Sequence, residues 1–325
     1  MRKKLFITNG QAPGDILMLT SGIRDLYNSC KDFFEINVKT TAMDIWENNP
    51  YLNRDINEKN ADMVFKAEYP LIHSSNTKPY HFIHGFRKFF EQKLNMRIEQ
   101  GDFCCDLHLS EKEKNSPSMI DDQLAGDKRY WIIDAGFKKD FTAKGWEYDR
   151  YQQVVNQLLG EVVFVQIGED HPDHKHPRLK NVIDLIGKTT TRQFINLMYH
   201  SSGVITPVSF PMLLATMQAK PNKCLKSRPC IVIAGGREPM TWQAFTSHQY
   251  ISRCGMLPCC DKGGCWKSRT IPIGDGDPKD NSLCYFPIKT KSGQVIPKCL
   301  DMISVDEVVR YVRFYEEGFK LLKNR

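Results

Sequence analysis

An alternation running from residue 130 to residue 234 narrows the fold most. β-Prone runs at 130–134, 162–167, 182–186, 203–206 and 230–234 are interleaved with helical patterns at 148–159, 192–200 and 211–217. Apolar strands separated by helix-length segments predict crossover connections, and hence a parallel sheet. The chain opens on the same theme. A β-prone run at 4–8 enters a loop of Asn9, Gly10, Gln11, Ala12, Pro13 and Gly14, and from Asp15 the residues Ile16, Leu19, Ile23 and Leu26 fall near helical spacing. Two α/β halves are therefore expected, each presenting ligands at the carboxyl ends of its strands.

Between the halves, residues 110–128 turn polar and charged, which is linker composition. Residues 36–109 carry little readable pattern beyond a second strand at 33–38 and a short helix at 87–94. Thr190 with Gln193 predicts a capping box at the start of a helix, and Ser304 with Glu307 predicts another. The last helix carries Val305, Val308, Val309, Val312 and Phe319 on one face. The expected organisation is a first domain over 1–118, a second over 119–303 and a helix over 304–325 that returns toward the first.

Composition excludes several classes. At 325 residues, 41% hydrophobic and 26% charged, the chain suits two moderate globular cores. No run approaches the roughly 20 apolar residues that span a bilayer, and the opening apolar burst is too short for a signal-peptide core. A cytoplasmic protein is expected, with its eleven cysteines read first as thiols or metal ligands. The net charge of +7 attracts phosphorylated ligands, anionic membranes and nucleic acids alike. Scattered basic residues without an aromatic–basic repeat disfavour nucleic acid.

Asp15 sits at a strand-to-helix turn beside Gly14, where a carboxylate can either take a proton from an attacking hydroxyl or simply complement the helix dipole. The run Gly14-Asp15-Ile16-Leu17 followed by Thr20 to Arg24 resembles the amino-terminal signature of the family-nine glycosyltransferases, the ADP-heptose-dependent heptosyltransferases. Lys144-Gly145-Trp146 with Tyr151 resembles that family's Lys-x-Trp motif, and Gly168-Glu169 after a strand fits it too. Residues 181–190, from Asn181 to Thr190, and residues 203–221 are similar to its next strand–loop–helix units, and Gly235-Gly236-Arg237-Glu238-Pro239 stands where it has a glycine–proline loop.

The resemblance implies a GT-B arrangement, two Rossmann-like domains facing an interdomain cleft. It implies transfer of a heptose-like sugar from a nucleotide diphosphate to a glycan, protein or other hydroxyl acceptor. Asp15 would be the base, and Gly14, Lys144, Glu169, Thr189, Ser209, Gly235, Gly236, Arg237 and Glu238 would hold substrate and nucleotide. Chemically the set is coherent, because a departing diphosphate must be neutralised by Lys, Arg and helix N-termini where no catalytic metal serves. In this sequence Val208 and Leu213 replace the family's usual aspartate and histidine. That leaves open another nucleotide sugar, or a metal-stapled module that binds, with a basic surface for nucleic acid, without catalysing.

Six cysteines crowd into residues 254–299: Cys254, Cys259, Cys260, Cys265, Cys284 and Cys299. Gly263 and Gly264 allow a tight knuckle, and thiolates arriving from later segments suit a tetrahedral zinc or iron site that staples a loop-rich insert. Cys260, Cys265, Cys284 and Cys299 are the expected ligands, with Cys259 an alternative to Cys260. The autotransporter heptosyltransferases, similar in fold, carry iron on carboxyl-terminal cysteines, so the resemblance implies a structural iron and no catalytic metal. His171, His174 and His176 read as an exposed loop. The acidic run at 274–280 reads as a solvated turn, since it lacks the glutamate spacing of a calcium loop. Oligomeric state is left open.

Overall fold

The computed structural model describes residues 2–71, 78–124, 129–138, 144–172, 174–217, 228–261, 263–265 and 284–323. The chain divides into two compact units, one of residues 1–75 and 80–116, the other of residues 76–79 and 117–325. The polar stretch 110–128 contains the change-over.

In the first unit β1 (Lys3–Asn9) leads into helix α1 (Pro13–Cys30), β2 (Phe34–Thr40), β3 (Met63–Lys66), α2 (His84–Leu94) and the short α3 (Glu111–Asn115). The strands form a parallel sheet in the order β2-β1-β3, with Leu5 opposite Ile36 on one side and Met63 on the other. The expected apolar stripe of α1 is buried, Ile16, Leu19, Ile23 and Leu26 having no exposure. Within residues 36–109 the short helix expected at 87–94 is part of α2, whereas β3 was not foreseen. The strand is only four residues long and half-exposed, so it lacks a distinctive pattern.

The second unit contains β4 (Tyr130–Asp134), β5 (Phe137–Lys138), α4 (Tyr148–Gln157), β6 (Val163–Ile167), β7 (His174–Lys175), β8 (Ile183–Asp184), α5 (Thr191–His200), β9 (Gly203–Pro207), α6 (Phe210–Leu214), β10 (Cys230–Gly235), α7 (Met240–Gln243) and β11 (His248–Ser252). The hairpin β12 (Pro287–Lys289) and β13 (Val295–Pro297), α8 (Lys298–Asp301) and α9 (Val305–Lys323) complete it. Six strands form one wholly parallel sheet, in the order β8-β6-β4-β9-β10-β11. Numbered within the sheet this is 3-2-1-4-5-6, the doubly wound order. Its direction of winding reverses between β4 and β9, and in sheets of this order the carboxyl ends of the strands at the reversal are where ligands bind.

The capping box at α5 forms as expected. Thr190 Oγ1 accepts the Gln193 N–H (3.2 Å), and Gln193 Oε1 accepts that of Thr190 (2.8 Å). At α9, Ser304 Oγ accepts the Glu307 N–H (3.1 Å). Helix α9 packs on the core of the second unit. Its Val308, Val309 and Val312 belong to the second unit's core with Trp131, Ile133, Ile205 and Ile233, and Glu316 accepts from Arg129 (2.7 Å) and from the Trp131 indole (2.8 Å). The apolar face read from the sequence is real, but which sheet it covers was not encoded in the pattern.

Candidate active site

In the first unit Asp15 occupies the first turn of α1, at the carboxyl end of β1. Its Oδ2 reaches back to accept the Ala12 N–H (3.2 Å), as a helix-capping carboxylate does. Its Oδ1 accepts a hydrogen bond from the Tyr69 hydroxyl (2.6 Å). Tyr69 is held by edge-on packing against Phe82 and Phe86, at centroid distances of 4.6 and 4.8 Å. The cap and the oriented carboxylate therefore coexist in one residue. Gly14 is half-buried in the same turn.

The second unit gathers polar groups at its winding reversal. Asp134 ends β4 and is buried; its Oδ2 accepts from Ser209 Oγ (3.0 Å) and Thr206 Oγ1 (3.3 Å), and its Oδ1 from the Gly136 N–H (3.0 Å). Burial pushes the Asp134 carboxyl above the usual carboxylate range, against the lowering influence of His176 and these donors. Ser209, expected from the sequence to contact substrate, follows the carboxyl end of β9. Asp134 was not singled out, although an acidic residue closing an apolar strand is the signal that could have found it.

Lys144 lies at the edge of this region. Its Nζ donates to the Val208 carbonyl (2.9 Å) and stands 3.3 Å from Glu238 Oε1. The same Glu238 oxygen pairs with Arg237, and both side chains are buried. Of the two cations expected to meet a diphosphate, Lys144 is partly exposed, with a quarter of its side chain accessible at 25%, whereas Arg237 at 5% is closed in with its carboxylate. Glu169, beyond the end of β6, has an exposed carboxylate held by His174 Nδ1 (2.8 Å). Thr189 is half-buried just before the α5 cap.

Gly235 and Gly236 are drawn elsewhere. A Cβ on Gly235, whose φ is +63°, would stand 2.9 Å from Leu300 and 3.1 Å from Cys299 Sγ, and one on Gly236 would stand 3.1 Å from Cys260 Sγ. The glycine pair is therefore the floor of a thiol pocket, lined by Cys259, Cys260, Cys265, Cys284 and Cys299. Burial pushes the Cys265 thiol up to about 12 and the Cys299 thiol to about 11, and neighbouring thiols add to both shifts. Donor type and convergence fit a soft metal ion. As the side chains stand, however, no three Cys, His, Asp or Glu among the described residues form a metal-holding group. The acidic run at 274–280 lies outside the described residues.

The histidine loop departs from its expectation as an exposed segment. His171 is exposed, but the side chain of His176 is only 11% accessible and turns in toward Asp134. Among the described residues no helix is long and apolar enough to cross a membrane.

No family model and no curated protein matches the chain. Solved structures do. A family-nine glycosyl transferase from Veillonella parvula is similar over 97% of both chains, at 12% identity and a TM-score of 0.63. The E. coli ADP-heptose LPS heptosyltransferase II is similar over 98% of this chain and 99% of its own, at 14% identity and a TM-score of 0.62. The dodecameric iron-containing heptosyltransferase TibC, solved with ADP-D-β-D-heptose, is similar over 98% of this chain and 77% of its own, at 14% identity and a TM-score of 0.64. The chain has the α/β fold of these glycosyltransferases.

Proposed function

We propose that the protein is a glycosyltransferase of the GT-B kind that takes a nucleotide-diphosphate sugar, ADP-heptose-like, as donor. One observation carries the reading. In a chain that shares its fold with heptosyltransferases over 97–98% of its length, the sheet with order 3-2-1-4-5-6 collects Asp134, Thr206, Ser209 and Lys144 at its winding reversal, where such sheets bind nucleotides. TibC holds ADP-D-β-D-heptose on the same fold.

In this reading the second unit holds the donor. Lys144 neutralises the diphosphate, Thr189 donates to its oxygens, Ser209 turns its hydroxyl proton from Asp134 to them, and Glu169 accepts from ribose hydroxyls. Arg237, buried with Glu238, sets the position of the carboxylate beside Lys144 rather than touching the phosphates. Asp15 of the first unit takes the proton from the acceptor hydroxyl as its oxygen attacks the anomeric carbon and the sugar–phosphate bond breaks. The acceptor is a glycan or a protein hydroxyl, and the setting is the cytoplasmic side of bacterial surface glycosylation. Four of the five pocket thiols, Cys260 or Cys259 with Cys265, Cys284 and Cys299, bind a structural iron or zinc ion that cross-links the insert and takes no part in transfer.

The test is a ligand screen followed by turnover. A sugar nucleotide that binds only the folded state raises the melting temperature with its concentration, and ADP-heptose is expected to do so above GDP- and UDP-sugars. Asp15→Asn is expected to keep that shift and to lose transfer by at least about a hundredfold. No shift with any nucleotide, or undiminished turnover by the variant, overturns the assignment.

A further inference from the structure

The side chain of His176 fills a space that exists only because two glycines face it. A Cβ on Gly136 would stand 2.0 Å from its Nδ1 and Cε1, and a Cβ on Gly168 would stand 2.4 Å from its Nδ1. Real side chains essentially never approach so closely, so the ring occupies space that only glycines leave just beyond β4 and β6. Two devices deliver it there. The antiparallel pairing of β5 with β7 fixes His174 and Lys175 immediately before it. On its other side the fully buried Gln166 donates to the Pro177 carbonyl (2.5 Å) and accepts the Leu179 N–H (2.9 Å).

The ring nitrogens are differentiated. Nε2 accepts the N–H of Glu169 (3.3 Å), which requires a lone pair there and so assigns the proton of the neutral ring to Nδ1. Nδ1 faces Asp134 Oδ1 at 3.9 Å, too far for a hydrogen bond but close for electrostatic attraction in a buried setting. One side chain thereby ties the Gly168–Glu169 turn to the carboxylate that also organises Ser209 and Thr206.

We infer that His176 is a positioning residue of the donor site, one that fixes the Gly168–Glu169 turn against the end of β4 so that Glu169 meets the ribose of a nucleoside diphosphate. The inference rests on the donor-site reading above. The charged and titratable groups recorded around the ring are Asp134 from β4, Glu169 from the loop after β6, whose carboxylate is on His174, and His174 of β7, 6.1 Å away between ring centroids.

The experiment titrates the purified full-length protein with ADP, GDP and UDP by calorimetry, and wild type is expected to bind one of the three. H176Q keeps an acceptor for Glu169 and is expected to bind that nucleotide within about threefold of wild type. H176F fills the same space without nitrogens and is expected to bind about tenfold more weakly while still melting cooperatively. If H176F does not fold, H176L makes the same comparison. Undiminished binding by the nitrogen-free variant, or binding by H176Q as weak as that variant's, overturns the role of His176 alone. No binding of any of the three nucleotides by wild type overturns the donor-site reading, and this role with it.

Discussion

As the proposed base, Asp15 depends on its partners. A carboxylate that only capped α1 would be free to rotate about its second bond, but the Tyr69 hydroxyl on Oδ1 and the Ala12 N–H on Oδ2 fix its plane. Tyr69→Phe keeps the ring packing on Phe82 and Phe86 and deletes only the hydroxyl. It should therefore cost no more than about 1–1.5 kcal/mol of stability, the worth of one hydrogen bond. Turnover should fall about tenfold while the Kd for donor nucleotide stays put, because Tyr69 belongs to the first unit; steady-state kinetics beside a nucleotide titration checks this, and wild-type turnover contradicts it. Asp15 is legible in the sequence because a strand, a glycine loop and an acidic first turn are local signals. Tyr69, 54 residues away, is not, since it meets Asp15 only once β3 has paired with β1. His176 was hidden for the opposite reason: its prolines and charged neighbours are those of a surface loop, and only Gly136 and Gly168 make room to bury it.

Among the elements, α8 has the most unexpected position. Four residues long, it presses Cys299 and Leu300 onto Gly235 and Gly236, so a glycine pair that reads as a nucleotide loop forms the floor of a thiol pocket. The crowding of cysteines is visible in the sequence; their convergence on that glycine pair is not, because it depends on the β12–β13 hairpin delivering α8 to the end of β10. Burial and mutual repulsion hold Cys265 and Cys299 protonated at neutral pH, and a bound cation would reverse both effects by stabilising the thiolates. Elemental analysis of the protein purified without chelator should find about one equivalent of iron or zinc. Cys265→Ser should lose it and melt at lower temperature. A metal-free wild type with the melting temperature of the variant would leave the pocket a set of packed thiols.

At the scale of the whole molecule, the alternation of strands and helices foretells two parallel α/β units, and strand periodicity places most of the second sheet within a residue or two. Strand order is another matter. The sequence gives no sign that β4 is flanked by β6 and β9, yet that arrangement brings Asp134, Thr206 and Ser209 to one point and makes a nucleotide site physically reasonable. The last helix teaches the same lesson, since its valine stripe announces burial without naming the surface that buries it. The central claim is that the winding reversal between β4 and β9 receives the donor diphosphate. A crystal structure of the protein with ADP tests it most directly. The account predicts the diphosphate at the carboxyl ends of β4 and β9, with Lys144 and Ser209 within hydrogen-bonding distance and the ribose against Glu169; ADP bound anywhere else, with those strand ends left to solvent, would contradict it.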